Sequence, residues 1–162
     1  MSATAPTLLR TNRNHDVPID SIDLSLIAHL QHDGRMSAEE LSARVALSRP
    51  AVVARLKRLR ESGIIKQFTV LVDWEALGFP ILAFIHVRTS RLCREQARIF
   101  IGMSDDATLV EECHRTTGEW CLLAKVRAKS ASALESLIDR IRDEDNVEQT
   151  MTTLALSTLA SS

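Results

Sequence analysis

Apolar residues first recur at helical spacing just after Asp20, where Ile22, Leu26, Ile27 and Leu30 share one face of a helix with Asp20 as N-cap, Asp23 in the first turn and Gly34 as the stop. Ser37-Ala38-Glu39-Glu40 is a capping box, and Leu41 with Val45 makes the buried stripe of a short second helix. Only Ala46-Leu47 separates it from a third helix, which has Ser48 as N-cap, Pro50 in its first turn and Gly63 as stop. The period then changes to two: Lys66 to Val72 reads as a strand with Phe68, Val70 and Val72 on one face. Three short helices with a tight turn before the third, followed by a strand, predict a winged helix-turn-helix. Asp73 to Gly78 reads as a single capped helical turn, and the domain boundary is expected there, before Pro80.

Beyond Pro80 the order is strand, helix, strand, strand, helix, strand. The strands are Ile81 to Thr89, Ala107 to Arg115, Trp120 to Val126 and Val147 to Leu156, the middle two forming a hairpin about Thr117-Gly118. The helices are Arg94 to Ile101, stopped by Gly102, and one capped by Ser130 or Ser132 that puts Leu134, Leu137, Ile138 and Ile141 on one face. This βαββαβ order predicts an α+β chain whose second domain is ferredoxin-like, with both helices on one face of an antiparallel sheet. The bare opposite face predicts a homodimer. The domains expected are a flexible tail over 1–17, the helix-turn-helix over 18–66, the wing strand and linker over 67–79, an effector-binding and oligomerisation domain over 80–156 and a tail over 157–162.

Composition adds exclusions. With 162 residues, 45% of them apolar and 25% charged, the chain is neither collagen-like nor disordered. Its apolar runs are far shorter than the ~20 residues that span a bilayer, and its N-terminus lacks an apolar signal core, so the expected compartment is the cytoplasm. Cys93, Cys113 and Cys121 lack C-x-x-C spacing, which predicts reduced thiols rather than disulfides or a zinc site. The net charge of -1 conceals an asymmetry: through Lys66, ten Lys and Arg stand against seven Asp and Glu, and the remainder is acidic. A basic first half suggests a polyanionic partner.

The third helix concentrates that charge. Arg49, Arg55, Lys57, Arg58 and Arg60 face a single acid, Glu61, while Val52, Leu56 and Leu59 point to the core. The candidate DNA-contacting residues are Ser48, Arg49, Pro50, Val53, Ala54, Lys57 and Arg58, with Arg49 placed for a guanine edge and Val53 for a thymine methyl. Arg55 and Arg60 border the apolar stripe and rank lower, as partners of nearby acids. A salt-bridged, solvated face is the alternative for any basic helix. In the tail, Arg10 and Arg13 read as solvated rather than as phosphate contacts.

Enzyme chemistry has little support. Cys113 and His114 are neighbours in a strand and so point to opposite faces, and no Gly-rich phosphate loop is present. His29, His32 and Asp33 read as solvated polar residues at a helix end rather than as a metal site.

Ile19-Asp20-x-x-Asp23-x-x-Leu26-Ile27-x-x-Leu30-x-x-Asp33-Gly34-Arg35, then Leu41-Ser42-x-Arg44-Val45-x-Leu47-Ser48, Arg55-Leu56-x-Arg58-Leu59 and Gly63-Ile64-Ile65, resembles the amino-terminal signature of the Lrp/AsnC (feast/famine) transcription regulators. The likeness continues through Leu77-Gly78, Glu112-Cys113-His114, Thr117-Gly118 and Thr150-x-Thr152. It implies a sequence-specific DNA-binding regulator with a C-terminal RAM-type domain, dimerising through the sheet, assembling to tetramers or octamers, and binding a small effector, commonly an amino acid, between dimers. No cofactor and no metal are implied. The effector-binding residues implied are Thr117, Gly118, Glu119, Trp120, Cys121, Thr150 and Thr152.

Two departures from the family pattern change the picture. Ala46 stands where the family usually has glycine, and a left-handed conformation there would cost about 1 kcal/mol. The family's Gly-x-x-Asp appears as Gly118-Glu119-Trp120-Cys121, and a neutral thiol cannot offer a carboxylate to an ammonium group. Weak or altered amino-acid specificity is therefore expected, with Trp120 available for an apolar or aromatic ligand. Two other readings share the architecture: a sirohaem-decarboxylase-like enzyme, which the basic third helix opposes, and a nucleoid-organising protein with no effector.

Overall fold

The computed structural model describes residues 17–90 and 93–157. The expected terminal tails, with Arg10 and Arg13, lie outside them apart from Val17 and Ser157. The chain divides into two compact units, one through Leu71 and one from Val72.

The first unit holds α1 (Ser21–His32), α2 (Ala38–Val45) and α3 (Arg49–Glu61). Each starts as its sequence dictates. Asp20 and Ser37 form reciprocal capping boxes with Asp23 and Glu40, and Ser48 accepts the Ala51 N–H ahead of Pro50. Such a cap is worth about 1 kcal/mol because it satisfies a helix N–H that has no intrahelical partner. Leu26, Leu41 and Val52 bring the three helices together, with Ile22, Leu30, Val45, Leu47 and Leu56 packed around them. The turn into α3 is built on Ala46, whose φ of 52° and ψ of 41° are left-handed. The residue expected to be strained there is therefore strained.

The strand expected over Lys66 to Val72 is not formed. These residues are extended without a sheet partner among the described residues, and Phe68, Val70 and Leu71 are largely exposed. Alternation marks a face, but a strand also needs a ladder of neighbouring N–H and C=O groups, which the chain does not supply here.

The second unit opens with the capped turn at Asp73, whose carboxylate accepts the Ala76 N–H, and closes it at Gly78 with φ of 83°. This turn belongs to the second unit, and the division between Leu71 and Val72 falls inside the wing and linker expected over 67–79. The order β1 (Ile81–Thr89), α4 (Cys93–Gly102), β2 (Thr108–Arg115), β3 (Leu122–Ala128), α5 (Ala131–Arg142) and β4 (Val147–Ala155) is the βαββαβ arrangement expected. The sheet order is β2-β3-β1-β4, antiparallel throughout. Ala83, Ile85 and Val87 of β1 and the even residues Leu122 to Ala128 of β3 bury themselves against Phe100 of α4 and Leu134, Leu137 and Ile141 of α5. Gly102 ends α4 from inside rather than stopping it from outside.

The opposite face of the sheet is mixed: Leu82, Phe84, Leu123 and Met151 put apolar side chains there across β1, β3 and β4, while the β2 and β3 side carries charge. Glu111 receives Arg127 Nε at 3.1 Å and Lys125 Nζ at 3.3 Å, and the Trp74 ring lies 5.7 Å from the Arg127 guanidinium carbon. The turn after Val72 thus caps part of a face expected to be bare.

Candidate functional site

The outward side of α3 comes first, since three elements fix it. Val52 and Leu59 are fully buried, so the residues half a turn away must face outward. Ser48, Arg49, Pro50, Val53, Ala54 and Lys57 are all exposed, and they lie over the N-terminal two-thirds of the helix. Lys57 Nζ is 3.7 Å from Glu61, a solvated i,i+4 pair that leaves its ammonium accessible. These six residues form one contiguous small-and-basic surface.

Arg58 is placed differently. Its Nη2 donates to Asp23 Oδ2, while Arg55 Nη1 donates to Asp20 Oδ2 at 2.6 Å and to Asp23 Oδ1 at 2.8 Å. Arg55 pairs with acids as expected, but Arg58, ranked above it as a free cation, is held by the same cluster. The physical reason is register: Arg55 and Arg58 are three residues apart on α3, and Asp20 and Asp23 are three apart on α1, so both pairs present one face. The Asp23 N–H and then the Arg55 guanidinium hold the Asp20 carboxyl below its usual range, and the same carboxylates raise Arg55. In the sequence these acids read only as an N-cap and a first-turn acid. The matched three-residue spacing was the available signal.

The second candidate cluster is split between two strands. Gly118 has φ of 100° at the tip of the β2–β3 hairpin, where Thr117 and Glu119 are exposed. Trp120 is half-buried, edge-on to His86 at 6.1 Å between ring centroids. Cys121 precedes β3: its N–H donates to Val87 O at 3.1 Å, and its Sγ is 3.2 Å from Thr89 Oγ1 and 3.4 Å from Val87 O. β3 thus starts at Leu122 rather than at Trp120. Thr150 pairs with Val87 from the other side of β1, and Thr152 with Ile85. The threonines are thus two strand spacings, about 10 Å, from the hairpin residues within one chain. Thr150 accepts Arg142 Nε at 2.9 Å, and Thr152 lines a groove of about 440 Å³ with Leu134, Ile138 and Asp139 of α5.

Sequence reasoning missed Arg88, which lies between Glu119 at 3.5 Å and Glu148 at 3.3 Å. A single arginine in an alternating strand carries no signal of this. Glu119, the hairpin carboxylate close to Cys121 in sequence, already has this cation beside it. Cys113 is a free thiol that burial, and secondarily Cys121, pushes up to about 11, so it is not a nucleophile at neutral pH. Among the described residues no helix is long and apolar enough to cross a membrane.

Comparison with known proteins agrees with both halves. Residues 19–60 match the AsnC-type helix-turn-helix domain, and residues 82–162 match the Lrp/AsnC ligand binding domain. The HTH-type transcriptional regulator FL11 of Pyrococcus horikoshii is 35% identical over 142 residues, covering 88% of this chain and 92% of that protein. The structure of Bacillus subtilis LrpC superposes with a TM-score of 0.78 at 31% identity, covering 90% of this chain and 100% of LrpC. A Mycobacterium tuberculosis feast or famine regulatory protein, solved complexed with L-methionine, is 34% identical with a TM-score of 0.78, covering 88% of this chain and 95% of that one. Such relatives are transcriptional regulators rather than enzymes, which leaves the sirohaem-decarboxylase reading without support. Matched in both domains and similar to these regulators over nearly their whole length, the chain is a DNA-binding transcriptional regulator and belongs to the Lrp/AsnC family.

Proposed function

We propose that α3 enters the DNA major groove through Ser48, Arg49, Pro50, Val53, Ala54 and Lys57, with Arg58 at the margin of that surface. The observation that carries this reading is the exposure of all six residues on the side opposite Val52 and Leu59. Small residues at the N-terminal positions let the helix approach base edges. Arg49 supplies a fork for guanine O6 and N7, Val53 an apolar contact for a thymine methyl, and Lys57 a cation for a phosphate. The protein works as a cytoplasmic homodimer, assembling further to tetramers or octamers, so its operator is palindromic. Phe68, Val70 and Leu71, exposed on a segment that has no sheet partner among the described residues, support association with a second copy.

The effector site takes Thr117, Gly118, Glu119, Trp120 and Cys121 from one chain and Thr150 and Thr152 from another, since the two groups are too far apart to grip one small ligand within a chain. The L-methionine complex of the tuberculosis relative supports an amino acid or related acid as the effector. Backbone N–H groups at Gly118 and Glu119 bind its carboxylate, and Trp120 offers an apolar edge. The thiol of Cys121 provides no charge for an ammonium group.

A footprint on the DNA upstream of the protein's own gene, with and without a panel of amino acids, tests the whole reading. Protection of two half-sites spaced by whole helical turns, shifted by one class of amino acid, is the expected result. Uniform protection with no sequence preference and no amino-acid response would favour the nucleoid-organising alternative.

A further inference from the structure

Two of the five cations on α3 are already spoken for inside the first unit. Arg55 and Arg58 converge on Asp23, and Arg55 also on Asp20, through guanidinium N–H donors at carboxylate oxygens. The Asp23 side chain is fully buried, so no bulk water screens its charge, and it is answered by the two arginines together with the Asp20 backbone N–H. The arginines themselves stay reachable, with 26% of the Arg55 side chain and 39% of the Arg58 side chain exposed. Oxygen acceptors facing guanidinium forks are what a DNA phosphate presents to arginine.

We infer that Asp23, assisted by Asp20, is a specificity-determining residue that acts as an internal phosphate mimic, holding Arg55 and Arg58 away from the DNA backbone. The inference rests on α3 being the DNA-contacting helix. Sequence-independent affinity grows with the number of phosphates a protein neutralises, whereas discrimination comes from base contacts. The net charge of α3 falls from +4 to +2 once Asp20 and Asp23 are counted with it. Withholding two arginines therefore lowers affinity for all DNA alike and leaves the choice of site to Arg49 and Val53. Asp20 and Asp23 thus serve twice, as a capping box for α1 and as the restraint on α3.

The test uses the full chain and fluorescence anisotropy on two duplexes of equal length, one containing the footprinted site and one scrambled. Asp23→Asn keeps the shape and removes the charge; Asp20→Asn also keeps a good N-cap and sits at a half-exposed position, so it folds even if Asp23→Asn does not. Both variants are expected to bind the scrambled duplex more tightly at low salt. The slope of log affinity against log salt steepens by about 0.9 for each guanidinium released. Between about 50 and about 200 mM salt, a variant then loses roughly three to twelve times more affinity than the natural protein. Arg58→Ala added to Asp23→Asn restores the shallower slope. Unchanged slopes in both aspartate variants, or weaker binding to both duplexes at unchanged slope, overturn the inference, because the pairs then only hold α1 against α3. Lys57→Ala separates the two levels: a lowered slope there beside unchanged aspartate variants refutes the phosphate mimic alone, whereas unchanged slopes in all three refute the placement of α3 on DNA as well.

Discussion

Replacing Ala46 by glycine should stabilise the first unit. Ala46 sits at the C-cap of α2 with φ of 52° and ψ of 41°, and its methyl is exposed. An L-residue with a Cβ in this region costs about 1–2 kcal/mol through the clash of Cβ with the following carbonyl. Glycine removes that clash but frees the unfolded backbone, which returns about 0.4–1 kcal/mol to the denatured state. The difference leaves a gain centred on about 0.8 kcal/mol for Ala46→Gly, at most about 1.6 kcal/mol. No burial is lost, and the bonds from Ala46 and Leu47 N–H to Ser42 O are backbone groups that the substitution keeps. For a unit of this size, 1 kcal/mol corresponds to about 4–8 °C in Tm, so a rise of a few degrees is expected. Thermal and urea unfolding followed by circular dichroism measure it. Ala46→Val supplies the opposite arm, since a β-branched side chain at positive φ is a steric outlier and should destabilise more than the glycine stabilises. A glycine variant no more stable than the natural protein, together with a tolerated valine, would refute the reasoning.

Further outcomes follow from the same geometry. Lys57→Ala should weaken binding to every duplex and lower the salt slope by about 0.9, whereas Arg49→Ala should relax preference at one base position; competition gel shifts over a salt series distinguish them. The Asp105 carboxyl is held below its ordinary value, first by the Ala107 N–H and also by Thr108 and Arg140, and Glu112 is lowered first by His114. Because these folded values lie below the unfolded ones, their stabilisation is complete above the ordinary carboxylate range and is lost as pH falls through the lowered folded values. Urea midpoints taken stepwise below about pH 5 should therefore drop, and less steeply in Asp105→Asn; identical acid profiles would count against the assignment. Cys121→Asp should strengthen binding of a small amino acid by about 1.5–3 kcal/mol through a restored charge-assisted hydrogen bond. Calorimetry showing tight binding by the natural protein and weaker binding by Cys121→Asp would mean the pocket has been misread.

What the sequence determined by itself was local. The helix starts at Asp20, Ser37 and Ser48 were legible because a cap is a matter of one side chain and an N–H three residues away. The strand-and-helix order of the second unit was legible because burial on one face imposes period two or 3.6 on the apolar residues. The strained turn at Ala46 was legible too, because only the backbone conformation had to be supplied. Tertiary structure decided everything that depended on partners distant in the chain. It set Arg58 on Asp23, thirty-five residues away, although helix periodicity alone turned that arginine outward. It left Lys66 to Val72 without a ladder, since alternation cannot say whether a neighbouring strand exists. It put Arg88 beside Glu119 and Glu148 and separated Thr150 from Cys121 by the width of β1, because strand order is set by how the sheet closes its core. Spacing along a chain fixes which side of an element a residue occupies; which charges meet across elements is fixed only when the elements pack.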